Sequence, residues 1–305
     1  MQDRSSSSMF LAWFLLIILS LIWGSSFILM KKGLLAFDPG EVAALRILSA
    51  SIFLLPISVR NIKEIKSRKH WMYLFASGFL GSLIPAFLFP MAQTKIDSAL
   101  SGVLNALTPF FTILIGALLV RARFAVRVKL GIFVGFVGSI FLVTAGSVGN
   151  PINMNYYSFL IVLATILYGF NLNILKYFLA DIRPIHITSF SMMMIGPFSL
   201  VYLIFHADVI HTLRNDPNSI LPFTYIVFLG VVGTALALIL FNKLLKITNI
   251  VFSSSVTYLI PVVAVIWGLI DHEILLFQHY LGMVFIILGV LLANRGGQSQ
   301  YVVKI

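Results

Sequence analysis

The chain has 305 residues, of which 60% are hydrophobic and only 10% charged, with a mean hydropathy of +1.03. A soluble protein of this length needs far more polar surface, so the class is a polytopic helical membrane protein. The net charge of +11 does not indicate nucleic acid, because it is confined to short segments between apolar runs, and the absence of cysteine excludes disulfides, zinc–thiolate sites and iron–sulfur clusters.

Met1–Met9 reads as a short polar tail. Phe10–Met30 follows as 21 uncharged residues, too long for a signal-peptide core and without a small-x-small cleavage site after it. It is taken as the first span. Nine more apolar segments follow, at 42–59, 71–94, 98–120, 130–148, 156–175, 185–205, 220–242, 249–270 and 274–293, with a polar tail over 294–305. Each has about the length that crosses ~30 Å of hydrocarbon at 1.5 Å per residue. The runs do not alternate, which argues against a transmembrane barrel.

Loop charges set the orientation. With the N-terminus inside, 16 of the 21 lysines and arginines lie in inside segments and 4 outside, while Arg46 lies within a span. Both termini are therefore expected to be cytoplasmic. The ten acids all fall in loops or at span edges, which argues against a proton relay at mid-membrane and against export of organic cations.

The fourth and ninth segments carry a proline amid apolar residues. Pro109 lies in Asn105–Gly116 and Pro261 in Tyr258–Gly268, 152 residues later. A proline inside a helix removes a backbone hydrogen bond, and within a bilayer that is tolerated only where protein or a water-filled cavity satisfies the freed carbonyl. Other positions repeat too. Trp23-Gly24 matches Tyr168-Gly169 and Pro39 matches Pro184 at an offset of 145. Gly78 and Gly81 match Gly230 and Gly233 at 152, and Gly131 and Gly138 match Gly282 and Gly289 at 151. Five spans per half is an odd number, so the second half must enter the membrane from the opposite side. The expected fold is an all-α membrane protein of ten transmembrane helices, built from two inverted five-helix repeats, residues 1–150 and 151–305.

Trp23-Gly24-Ser25-Ser26 resembles the WGS/N motif of the EamA family, within the drug/metabolite transporter superfamily. Arg46, the prolines of spans 4 and 9, and the glycine-spaced spans 5 and 10 resemble that family as well. The resemblance covers nearly the whole chain. It implies ten helices around a central cavity and export or exchange of amino acids and related small metabolites across a bacterial inner membrane. The family often has a Glu nine residues before the glycine opening the last helix of each repeat. Glu273 fits, whereas the first-half equivalent is Ala122.

Candidate substrate contacts gather around the repeated features. Asn105, Thr108, Ser254, Thr257 and Tyr258 lie within about two turns of Pro109 and Pro261; they are placed to hydrogen-bond a polar solute, or else to link helices. Trp23, Ser26, Tyr168 and Asn171 lie deep in the first and sixth spans, where they flank a substrate or pack beside Gly24 and Gly169. Arg46 is costly inside a span, but it lies only about four residues from the outer end, ~6 Å, within reach of the headgroups. It is read as a counter-charge for a carboxylate, a gating residue or a snorkelling cation. The six histidines show no metal-ligand spacing.

The leading function is secondary transport of a small organic solute by alternating access. A lipid or multidrug exporter of the same superfamily is the alternative, followed by a membrane enzyme acting on lipids. No catalytic residue, cofactor or metal is expected. The partners are a small-molecule substrate and the lipid bilayer, not nucleic acid, with monomer and homodimer both open.

Overall fold

The computed structural model describes residues 6–96, 98–121, 124–146, 156–270 and 277–295. Every element among them is helical. In chain order they are α1 (Ser6–Gly33), α2 (Pro39–Asn61), α3 (Arg68–Gln93), α4 (Ser98–Asn105), α5 (Thr108–Leu119), α6 (Val126–Gly146) and α7 (Tyr156–Phe178). Then come α8 (Pro184–His206), α9 (Val209–Asn215), α10 (Pro217–Ile247), α11 (Ile250–Ser254), α12 (Val256–Ile270) and α13 (Phe277–Arg295). Six of these, α1, α2, α3, α7, α8 and α10, are long and apolar enough to cross a membrane, and shorter apolar helices accompany them. Large apolar side chains cover the outside, including Leu118 at 74% and Phe205 at 73% exposed, as a lipid-facing surface requires.

The starts of α2 and α8 follow from proline chemistry. Pro39 and Pro184 each occupy the first turn, where a missing N–H costs nothing. Glu41 then ties two loops together. Its Oε2 accepts from the Asp38 N–H (2.9 Å) and its Oε1 from the Asp208 N–H (2.7 Å). At the opposite end of the helices, His186 Nδ1 meets Glu64 Oε2 at 3.0 Å and His70 Nε2 meets Asp181 Oδ2 at 3.3 Å. Lys176 donates to the carbonyls of Leu245 (2.9 Å) and Thr248 (2.8 Å), supplying a cation to the C-terminus of α10.

The prolines of the fourth and ninth segments act differently from one another. The first segment is fully broken, into α4 and α5, and Pro109 sits in the first turn of α5. Pro261 stays inside α12, and the break comes earlier, at Ser255 between α11 and α12. Hydroxyls take up the carbonyls that these breaks free. Thr108 donates to Asn105 O (2.8 Å), Ser255 to Phe252 O (2.6 Å) and Thr257 to Ser254 O (2.9 Å).

Two further irregularities are π-helical turns, Phe79–Leu83 in α3 and Val231–Leu236 in α10. They begin 152 residues apart, the offset that relates Pro109 to Pro261. Close backbone packing immediately precedes each of them. A Cβ on Gly78 would lie 2.8 Å from Ser191 O, and one on Gly230 would lie 2.6 Å from Arg46 O. Such turns insert one extra residue per turn and often mark functional positions.

Helix pairs also pack in matching ways. α1 lies along α12, where Gly24 faces Val263 and the Ile260 carbonyl. α7 lies along α5, where Gly169 faces the backbone of Phe111 and Thr112. The most extensive contact is α6 against α13.

Candidate functional site

The helix irregularities surround one cavity of about 120 Å³. An engineered cavity of about 150 Å³ admits benzene, so this space suits a small organic solute. Its walls come from α1, α2, α3 and the α4–α5 break on one side, and from α7, α10 and the α11–α12 break on the other.

Nine of the twelve residues singled out from the sequence line it: Trp23, Ser26, Arg46, Asn105, Thr108, Tyr168, Asn171, Ser254 and Thr257. Pro109 and Pro261 are buried beside lining residues but are not in the wall. Tyr258 is placed elsewhere. It is fully buried, with its ring against Gly135 of α6 and its hydroxyl donating to Ile132 O at 3.3 Å. A helix position one turn from a break has no fixed facing in sequence, and here it turns outward to α6. Tyr258→Phe is expected to leave solute binding unchanged and to cost about 0.5–1.5 kcal/mol of stability, the range for one neutral hydrogen bond. Thermal unfolding and solute counterflow on the same preparation check both halves of that expectation.

The wall is built from matching pairs. Trp23 stacks obliquely on Phe241 (centroids 5.2 Å), and Tyr168 stacks on Phe89 (6.1 Å). Gly233 of one π-turn lies beside Ser26, and Gly81 of the other lies against the Asn171 amide. Each π-turn thus holds a side chain from the opposite half. Trp23 donates its indole N–H to Gly233 O (3.0 Å), and Asn171 Oδ1 accepts from Ser77 Oγ (2.7 Å), one residue before Gly78. Side chains fixed this way are pre-organised, which spares a ligand the entropy of ordering them.

Arg46 has no equivalent. Pro39 and Pro184 open α2 and α8, and the eighth residue of each helix is Arg46 and Ser191 respectively. Ser191 donates to Leu74 O (2.9 Å) and is buried. Arg46 instead lines the cavity and donates its Nε–H to Thr234 Oγ1 at 2.7 Å. It does not snorkel. Thr234 can accept because its own hydroxyl donates five residues back, to Leu229 O (3.3 Å), in the widened register of the π-turn. Among the described residues no carboxylate lines the cavity; Glu41, the buried acid near it in sequence, is engaged with two backbone N–H groups.

Sequence reasoning missed Thr234, Ser82, Phe89 and Phe241, all of which line the cavity. A signal was present. The repeated Gly81 and Gly233 flag the π-turns, and Ser82 and Thr234 each follow one of them. Glu273 and Ala122 lie outside the described residues.

The sequence profile of the EamA-like transporter family matches residues 10–144 and, a second time, residues 155–295. The chain belongs to the EamA-like transporter family. An uncharacterized transporter of Archaeoglobus fulgidus is 26% identical over 285 residues, covering 93% of this chain and 98% of its own. The uncharacterized transporter YyaM of Bacillus subtilis is 25% identical, covering 90% of each chain. The uncharacterized inner membrane transporter YedA of Escherichia coli K12 is 24% identical, covering 91% and 89%. One solved crystal structure superposes with a TM-score of 0.72 at 15% identity, over 95% of this chain and 97% of that one, a likeness of fold alone. As a member of this family, the chain is a multi-pass membrane protein of transporter type.

Proposed function

We propose that this EamA-like protein is a secondary transporter that exports or exchanges small organic metabolites such as amino acids across the bacterial inner membrane by alternating access. Two inverted five-helix repeats, residues 1–150 and 151–305, rock about the cavity, with both termini cytoplasmic. The observation that carries this reading is the paired wall: Trp23 with Phe241, Tyr168 with Phe89, and two π-turns that each hold a side chain of the other half. A site shared by two related halves is what alternating access needs, because a small rocking of one half exposes the same residues to either side. The double family match supports the two-repeat reading.

The test is solute counterflow in proteoliposomes with a panel of amino acids, nucleobases, organic cations and lipids. Exchange of one or more amino acids is expected. Movement of lipids or organic cations alone overturns the reading.

Orientation has its own test. Reporter fusions after residues 65, 125 and 300 are all expected to read cytoplasmic, given 16 basic residues in the inside segments against 4 in the outside ones. One periplasmic reading breaks the ten-span arrangement.

A further inference from the structure

We propose that Arg46 is the receptor for a carboxylate on the transported solute, and that a carboxylate is therefore what this site requires of its substrate. The inference rests on the cavity being the transport site.

Arg46 is the sole charged side chain in the described wall of the cavity. Its Nε–H is held by Thr234, which fixes the plane of the guanidinium. Its two Nη groups make no hydrogen bond or ion pair with any described residue. A guanidinium has five N–H donors and no acceptor, so four donors remain for a ligand. A cation left in this state within a membrane protein is costly, and partners or a water-filled path normally accompany it. An anchored fork with free Nη groups matches the two oxygens of a carboxylate.

The rest of the wall carries no second positive charge; its remaining donors are neutral, from the Asn105 and Asn171 amides and the Tyr168 and Ser82 hydroxyls. Ser26 donates its hydroxyl hydrogen to Ile22 O (2.9 Å), Thr108 to Asn105 O (2.8 Å), and Thr257 to Ser254 O (2.9 Å). Each of these three hydroxyl hydrogens is spent on a backbone carbonyl one turn earlier in the chain, so these groups offer the cavity lone pairs only. Lone pairs repel a carboxylate and accept from an ammonium. Arg46 alone brings the wall a positive charge and a forked donor, and Ser191 at the matching position supplies no second cation. The charge asymmetry therefore fixes which way round the solute lies between the two halves.

The experiment uses the purified full chain and four probes for each of several side chains: the amino acid, its carboxamide, its decarboxylated amine and its deaminated carboxylate. Binding is read from ligand-induced thermal stabilisation, and transport from counterflow. The amino acid and the deaminated carboxylate are expected to bind about tenfold or more tightly than the carboxamide and the amine, because losing one partner of a charge-assisted pair leaves the guanidinium unpaired. Arg46→Gln is expected to bring the acid-to-amide ratio to near one, and Arg46→Lys to keep part of it, since the charge stays and the fork is lost. Unliganded melting temperatures report whether each variant is folded; if Arg46→Gln is not, Arg46→Lys and the wild-type ratio still decide. Amides or amines that bind and exchange as well as acids overturn the assignment and leave the transport reading standing. Arg46→Gln that retains the acid preference does the same. A wild type that neither binds nor exchanges any probe overturns both.

Discussion

Trp23→Ala and Tyr168→Ala are each expected to weaken solute binding by ~1–3 kcal/mol, as truncation of a buried aromatic anchor does elsewhere. Both rings line the cavity and both stack on a second aromatic from the same wall. The pair brings apolar area to the organic part of a solute. A desolvated aromatic face also attracts an ammonium group by up to ~2 kcal/mol. Trp23 carries an additional constraint that Tyr168 lacks among the described residues. Its N–H holds Gly233 O, so removal of the indole also releases the π-turn that presents Thr234 to Arg46. Trp23→Ala should therefore be the larger loss, and Trp23→Phe should recover the stacking but not the anchoring. Substrate-dependent thermal stabilisation of wild type and variants is the measurement. If both alanine variants keep wild-type affinity, the aromatics are packing residues and the solute binds elsewhere.

Gly289→Val is expected to produce the largest loss of stability among single substitutions of this kind. The α6–α13 contact brings backbone against backbone. A Cβ at Gly289 would sit 2.6 Å from Gly135 Cα and 2.7 Å from Gly131 O. On the partner helix, a Cβ at Gly138 would sit 2.7 Å from the Ile286 nitrogen and 2.8 Å from Gly282 O. No flexible side chain is present to yield, so the helices themselves must separate. Overpacking typically costs about 1–3 kcal/mol and sometimes more, and here van der Waals contact along a whole helix pair is at stake. Helix association in lipid depends on such contact because hydrocarbon offers no hydrophobic drive between helices. The expected readout is a lower melting temperature and reduced yield of monodisperse protein for Gly289→Val and Gly138→Val. The control is Gly102→Ala. Its added methyl would meet Ile260 at 3.8 Å, an ordinary contact, so little change is expected. Equal tolerance at all three positions means that α6 and α13 do not depend on glycine contact.

The membrane class, the apolar segments and the repeated glycines and prolines were legible in the chain itself, because each follows from local chemistry. An apolar run of about 20 residues has no soluble use, and a glycine or proline at a fixed offset has few reasons to recur. Trp23, Tyr168, Asn105 and Thr257 could be nominated for the same reason: they stand beside those recurring features. Three things required the tertiary structure. The first was facing. Tyr258 directly follows Thr257 yet turns to α6: consecutive helical residues point about 100° apart, and which of the two faces the cavity depends on how α12 is rotated after the break at Ser255. The second was the conformation of the glycine repeats in α3 and α10. Gly78 and Gly230 each stand one residue before a π-turn, with another backbone pressed against them at Ser191 O and Arg46 O; the recurring glycines mark the place but do not by themselves specify the widened register. The third was Arg46. Its distance from the span end allowed it to reach the headgroups or the interior. A partner 188 residues away, Thr234 on a widened helical turn, holds it in the cavity.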